Sequence, residues 1–188
     1  MNKLDSIKRT QIVNCLVEGL SVRATCRMTG AAKGTVLKLV ADIGEACKAY
    51  HDNYVRDVKA KRVQCDEIWS FCYAKDKNVP QDKLGLGAGS IWTFTAICSD
   101  SKLCISYLCG ARDTTYATRF IQDMHDRIDG RIQLSTDGMA AYANAVDAVF
   151  PRGTIDYAMI NKVYRSPRAT ETRYSPAVCV GCTRQRVR

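Results

Sequence analysis

The sequence predicts an α/β protein in which a mixed sheet flanked by helices follows a small all-α domain. Three observations point there. Apolar residues recur at helical spacing as far as residue 54, and the period changes to two at Val63. Beyond that point the patterns run three strands, helix, strand, helix, strand. The length of 188 residues suits a small domain joined to a medium one, and 46% apolar with 25% charged residues exclude wholesale disorder.

Each element has a local reason. Asp5 is placed to N-cap a helix over residues 6–18, with apolar Ile7, Ile12, Val13, Leu16 and Val17 at a mostly helical spacing and Gly19 ending it. Ser21 caps a short helix over 22–29, and Gly30 ends that one. A third helix begins near Thr35, turns Val36, Leu37, Leu39, Val40 and Ile43 inward, and continues past Gly44 towards Tyr54. Three helices with a four-residue turn before the third form a helix-turn-helix pattern. Lys33, Thr35 and Lys38 lie at the start of the third helix, off its apolar stripe, where bases and phosphates would be met. A three-helix packing module is the plainer alternative. Residues 55–62 read as a basic linker.

Residues 63–73 read as the first strand, 78–90 as a Gly- and Pro-containing loop, 92–99 and 103–110 as a hairpin turning at Asp100-Ser101-Lys102. Asp113 or Thr114 caps a helix to residue 128. A fourth strand over 131–135, a helix over 138–150 and a fifth strand over 154–160 complete a meander followed by crossovers. The basic tail 162–188, with Pro167 and Pro176 and little periodicity, is expected to be poorly ordered.

Charge is unevenly placed. Residues 1–64 hold 12 Lys/Arg against 6 Asp/Glu, residues 65–150 hold 8 against 11, and residues 151–188 hold 8 against 2, giving +9 in all. Basic ends around an acidic centre fit a nucleic-acid partner, and a generic basic surface fits as well. No apolar run is long enough for a membrane span and no secretory signal opens the chain, so a cytoplasmic location is expected. The ten cysteines then read as reduced, small core residues.

Two aspartates stand out. Asp66 lies mid-strand, where an unpaired carboxylate is costly. Asp137 follows the fourth strand, at the carboxyl end where open α/β sheets gather ligands. If the first and fourth strands are neighbours, the two side chains converge and offer Mg²⁺ the hard oxygen ligands it needs. Glu67, adjacent to Asp66, points to the other face and is expected to pair with a base instead. Arg112-Asp113 is read as the start of the next helix, with Asp113 an outside candidate for the site. Cys179-Val180-Gly181-Cys182 has zinc-knuckle spacing but only two ligands, and His51 and His125 are not near it in sequence, so free thiols are expected. The loop Gly85-Leu86-Gly87-Ala88-Gly89 lacks the Lys-Ser/Thr of a phosphate loop.

Residues 17–44, 64–71 (QCDEIWSF), 133–142 (QLSTDGMAAY) and 173–182 (RYSPAVCVGC) together resemble the insertion-sequence-one family of bacterial DDE transposases, over nearly the whole chain. The resemblance implies a helix-turn-helix domain (1–54) that binds the element's terminal inverted repeats in double-stranded DNA. It also implies a ribonuclease-H-like core (63–161) that cleaves and joins DNA strands with Mg²⁺, or Mn²⁺ in its place. Asp66 and Asp137 match the first two catalytic, metal-binding carboxylates. A homo-oligomer is implied for the full-length protein, in the nucleoid. The family's third carboxylate is a Glu on a helix after the Arg-Tyr-Ser-Pro segment. Here the sequence ends at Arg188, and the only acidic residue beyond Asp156 is Glu171, which precedes Arg173. The expectation is a C-terminally truncated copy with a partial core that lacks its final helix and is catalytically incomplete. It would be inactive in strand transfer, or a DNA-binding competitor or repressor of full-length transposase, or a remnant that folds poorly.

Overall fold

The computed structural model describes residues 4–165 and 177–187. The chain divides into two compact units, Met1–Val55 and Arg56–Arg188.

The first unit is three helices, α1 (Ser6–Val17), α2 (Val22–Thr29) and α3 (Lys33–Tyr54). Asp5 accepts from the Lys8 amide at 2.6 Å and Ser21 from the Ala24 amide at 3.2 Å, so both caps satisfy amides that a helix start leaves unpaired. Gly30 ends α2 in the left-handed conformation, φ +68°. Ile12, Val36 and Leu39 form the buried centre, with Leu4, Val13, Leu16, Val22 and Ile43 against it. Here the expected inward face of α3 is corrected: Leu37 and Val40 are exposed, as are Ile7 and Val17 of α1. A bundle this small has room for one apolar stripe per helix, and these four sit at its margins. The third helix also starts at Lys33, earlier than expected, with Gly34 in its first turn.

The second unit is a six-stranded mixed open sheet with helices packed on it: β1 (Arg62–Cys72), β2 (Gly89–Cys98), β3 (Cys104–Gly110), α4 (Thr114–His125), β4 (Ile132–Asp137), α5 (Ala140–Val149), β5 (Ile155–Arg165) and β6 (Val178–Arg186). The order across the sheet is β3-β2-β1-β4-β5-β6. β1 pairs antiparallel with β2 and parallel with β4, β4 runs parallel to β5, and β6 returns antiparallel to β5. Residues 56–61, read from sequence as linker, lie in this unit, where Val58 bridges to Ile128 and Ala60 is buried.

One face of the sheet supplies Val63, Cys65, Phe94, Ala96, Leu134 and Tyr157 to the core, and α4 and α5 bring Phe120, Met124, Tyr142 and Val146 onto it. Phe94 stands 5.5 Å from Phe120 and 6.2 Å from Tyr142, ring centre to ring centre, a three-ring cluster that locks both helices to β2. Asp113 caps α4 through the Tyr116 amide at 2.9 Å. Gly110 is needed at the end of β3, since a Cβ there would lie 1.9 Å from the Tyr116 ring. No helix among the described residues is long and apolar enough to cross a membrane.

Two sequence expectations are corrected in this unit. Val178–Arg186 is a strand within the tail expected to be poorly ordered, and β5 runs five residues past its expected end, to Arg165. Every residue of β6 is exposed, so no face of it carries the alternation that marks a half-buried strand. Second, the cysteines are free thiols but not all core residues: Cys65 and Cys98 are buried, whereas Cys47, Cys72, Cys109, Cys179 and Cys182 are exposed. The Arg173–Pro176 segment, Pro167 and Glu171 lie outside the described residues.

Arg127 is only 4% exposed and is held by Asp123, one turn earlier, at 2.8 and 2.9 Å. Burial alone would raise the Asp123 carboxyl, but Arg127 and the Ser106 hydroxyl more than offset it and hold the group below the ordinary aspartate value. Asp123→Ala should cost about 2 kcal/mol in urea denaturation, less than a fully buried pair because Asp123 is itself 39% exposed. The contribution is present above the unfolded pKa and is lost as pH falls through the lower folded one. The wild-type and variant stabilities should therefore converge only in strong acid, and a constant gap down to that range would contradict this assignment.

Candidate metal site

The parallel register between β1 and β4 runs Arg62–Gln133, Val63–Leu134 and Gln64–Ser135. Two residues further along each strand stand Asp66 and Asp137. With a period of two they share the face of Gln64 and Ser135, away from α4 and α5. The sheet thus brings together the two carboxylates that the sequence singled out. They open onto a cleft of about 440 Å³ whose walls include Arg112, Asn161, Lys162 and Tyr164.

Each aspartate is oriented by backbone. Asp66 Oδ1 accepts from the Glu67 amide at 2.9 Å, and its carbonyl accepts from Thr95 Oγ1 at 3.1 Å. Asp137 Oδ1 accepts from the Met139 amide at 3.0 Å, which leaves Oδ2 towards Arg112 at 3.4 Å. Below Asp137, Thr136 Oγ1 lies 3.0 Å from the Tyr157 hydroxyl and ties β4 to β5 inside the core. Burial pushes that phenol up to about 12, against the Thr136 contact, so it stays protonated. Gly138 lets Asn161 lie against the strand end, since a Cβ there would stand 1.8 Å from Asn161 Oδ1.

Glu67 behaves as the sequence leads one to expect and also lies close to the aspartates. It does point to the helix side, and it does pair with a base, Arg112. Yet carboxylate oxygens of Asp66, Glu67 and Asp137 all lie within 4.8 Å of one another. The Glu67 side chain is 2% exposed, and Arg112 bridges it to Asp137 with 3.4 Å contacts to Glu67 Oε2 and Asp137 Oδ2. Burial pushes the Glu67 carboxyl up; the Tyr142 hydroxyl and Arg112 oppose the shift, and Asp137 adds to it. The approach of Tyr142 falls short of hydrogen-bond geometry: Glu67 Oε1 and Tyr142 OH are both buried oxygens without a partner.

Arg112 itself was read only as the approach to a helix. No periodicity marks it, because its role comes from a loop that passes over strands distant in sequence. Its guanidinium also rests 5.1 Å from the centre of the Trp92 ring. Asp113 is the helix cap and is not in the carboxylate group.

The donor set suits a hard divalent cation: oxygen ligands alone, two of them on rigid strand backbone, with an orphaned buried oxygen beside them. Asp66, Asp137 and Glu67 are the residues that could hold it. Lys33, Thr35 and Lys38 are all exposed on the first turns of α3, and Lys38 meets Asp42 at 3.8 Å. Cys179 and Cys182 face solvent on β6, with no third metal-ligating side chain grouped with them among the described residues. Compared with known protein families and with curated proteins, the chain shows no match to either.

Mn²⁺ titration followed by electron paramagnetic resonance tests the donor set. Asp66→Asn and Asp137→Asn should each weaken binding at least tenfold, the usual scale for losing a first ligand or its close support. Arg112→Gln should strengthen it, because a competing cation is removed. Equal Mn²⁺ affinity in all four proteins would rule the site out.

Proposed function

We propose that the chain is a transposase of an insertion sequence, acting in DNA transposition and recombination: it binds terminal inverted repeats and carries a metal-dependent strand-cleavage and strand-transfer centre. The observation that carries this reading is the meeting of Asp66 and Asp137 on one face of neighbouring parallel strands, in a cleft that also holds Arg112 and Lys162. A mixed open sheet with helices on it is compatible with a ribonuclease-H-like core. Lys33, Thr35 and Lys38, exposed at the start of α3 after a short turn, support a helix-turn-helix reading of the first unit.

Mg²⁺, or Mn²⁺, would supply an activated oxygen nucleophile and neutralise charge on the reacting phosphate. The protein's own part is to bind and orient. Asp66 and Asp137 hold the cation from rigid backbone. Arg112 keeps Asp137 and Glu67 in place and adds positive charge to the cleft wall. Lys162 meets a phosphate entering from the β5 side. In the first unit, Lys33 and Lys38 contact the DNA backbone and Thr35 reaches towards a base edge.

A second reading, DNA binding without strand transfer, is favoured by one observation. Among the described residues the third carboxylate within reach of the two aspartates is Glu67, and it is engaged by Arg112 rather than free to take a cation. On this reading the chain holds repeat DNA and competes with a longer transposase.

With inverted-repeat DNA and Mg²⁺ or Mn²⁺, 3′-end cleavage that is abolished by Asp66→Asn and by Asp137→Asn is expected; repeat binding with no cleavage would leave the binding-only reading. Lys33→Gln and Lys38→Gln should each weaken duplex binding and lower the salt dependence of log Kobs by about 1. Unchanged salt slopes in both variants would remove the first unit from the interface.

A further inference from the structure

The β1–β2 hairpin runs on past the helices that cover its base. At Phe94, opposite Glu67, the helix-side face is fully buried; two residues on it carries Trp69 opposite Trp92, and beyond them Phe71 opposite Ser90. Trp69 is 41% exposed and Phe71 48%, although both are large aromatics on the face that is core elsewhere. The Trp69 indole N–H donates to Ser90 Oγ at 3.1 Å, which fixes the ring. Trp69 and Phe71 stand 5.7 Å apart, centre to centre.

A cation attends each indole. Lys75 Nζ lies 5.3 Å from the Trp69 ring centre, and Arg112 Cζ lies 5.1 Å from that of Trp92. The neighbouring acid is occupied: Asp76 accepts from the Ser90 amide at 2.6 Å and also from the Ser90 hydroxyl. An aromatic row with a cation against each of its two indoles therefore leads outward from Arg112, which is also the cation of the carboxylate site.

The geometry points to this row as a stacking platform for unpaired bases of a nucleic-acid strand, with Trp69 and Phe71 meeting base faces and Lys75 and Arg112 meeting the phosphates beside them. Charge complementarity selects this occupant. An apolar protein surface would have to desolvate the Lys75 ammonium, whereas a strand brings π-faces and anionic phosphates in alternation, at a few nucleotides per site. The inference rests on the nucleic-acid reading above and adds to it a place for single-stranded DNA next to the carboxylates.

Trp69 and Trp92 are the only tryptophans in the chain, so intrinsic fluorescence reports on the platform directly. The full chain is titrated with an oligodeoxythymidylate of about a dozen nucleotides, a length within the usual site sizes, and with a mixed-sequence duplex of equal length. Saturable quenching by the single strand, clearly larger than by the duplex, is expected. Phe71→Ala should weaken binding of the labelled single strand about tenfold and Lys75→Gln by less, as read by anisotropy. Lys75 is exposed and off the core, so its variant keeps the test valid should Phe71→Ala disturb the hairpin. Lys33→Gln with Lys38→Gln should reduce duplex binding and leave single-strand quenching intact. Duplex binding without single-strand quenching, or Phe71→Ala and Lys75→Gln both binding like wild type, would overturn the platform while sparing the function proposed above. Single-strand quenching by a wild-type protein that binds no duplex at all would do the reverse. Phe71-dependent self-association seen by light scattering, with no quenching, would assign the row to a second copy of the chain and overturn the inference.

Discussion

The parallel pairing of β1 with β4 is the constraint on which the second unit depends. Three register pairs, Arg62–Gln133 to Gln64–Ser135, set the phase of both strands. That phase sends Val63, Cys65 and Leu134 into the core and Asp66 and Asp137 out of it. A slip of one residue would bury two carboxylates and expose the core side chains, an error no local adjustment could absorb. Because the pairing is parallel, the chain must cross back over the sheet between these strands, and α4 lies on that crossover path. Phe120, Ile121 and Met124 of α4 are fully buried, so the crossover and the register reinforce each other.

Bringing three carboxylates within 4.8 Å sets an electrostatic problem that the chain answers with one side chain. Arg112 sits between Glu67 and Asp137 and leans on Trp92, an aromatic face that supports a guanidinium without adding another charge. The planar fork can meet two carboxylates from two strands at once, which a lysine could not do with comparable geometry. The same residue links the acidic cleft to the exposed aromatic row of the β1–β2 hairpin.

Much of the local structure was legible in the residues. The caps Asp5, Ser21 and Asp113 act as their chemistry predicts, because a capping bond spans only two or three residues. The change of period at Val63 marks the start of the sheet, and the two aspartates chosen for their strand positions do converge. Other features carried no local signal. β6 is exposed along its whole length and alternates nothing, so only its pairing with β5 makes it a strand. Leu37 and Val40 sit on a helical stripe that the small bundle is too narrow to bury. Glu67 obeys the alternation that separates it from Asp66 and pairs with a base, yet one of its carboxylate oxygens also lies within 4.8 Å of both aspartates.

The sequence by itself determined the elements other than β6, their caps, the order in which they occur and the candidacy of Asp66, Asp137, Lys33, Thr35 and Lys38. These are properties of neighbours within a few residues, where hydrophobic period, turn chemistry and charge act directly. Only the tertiary structure decided which strands are adjacent, which side of the sheet the helices cover, and that Arg112 and Glu67 join the two aspartates. The physical reason is that strand order is settled by burial summed over the whole unit. A loop residue such as Arg112 acquires its partners only after strands far apart in the chain have been set side by side.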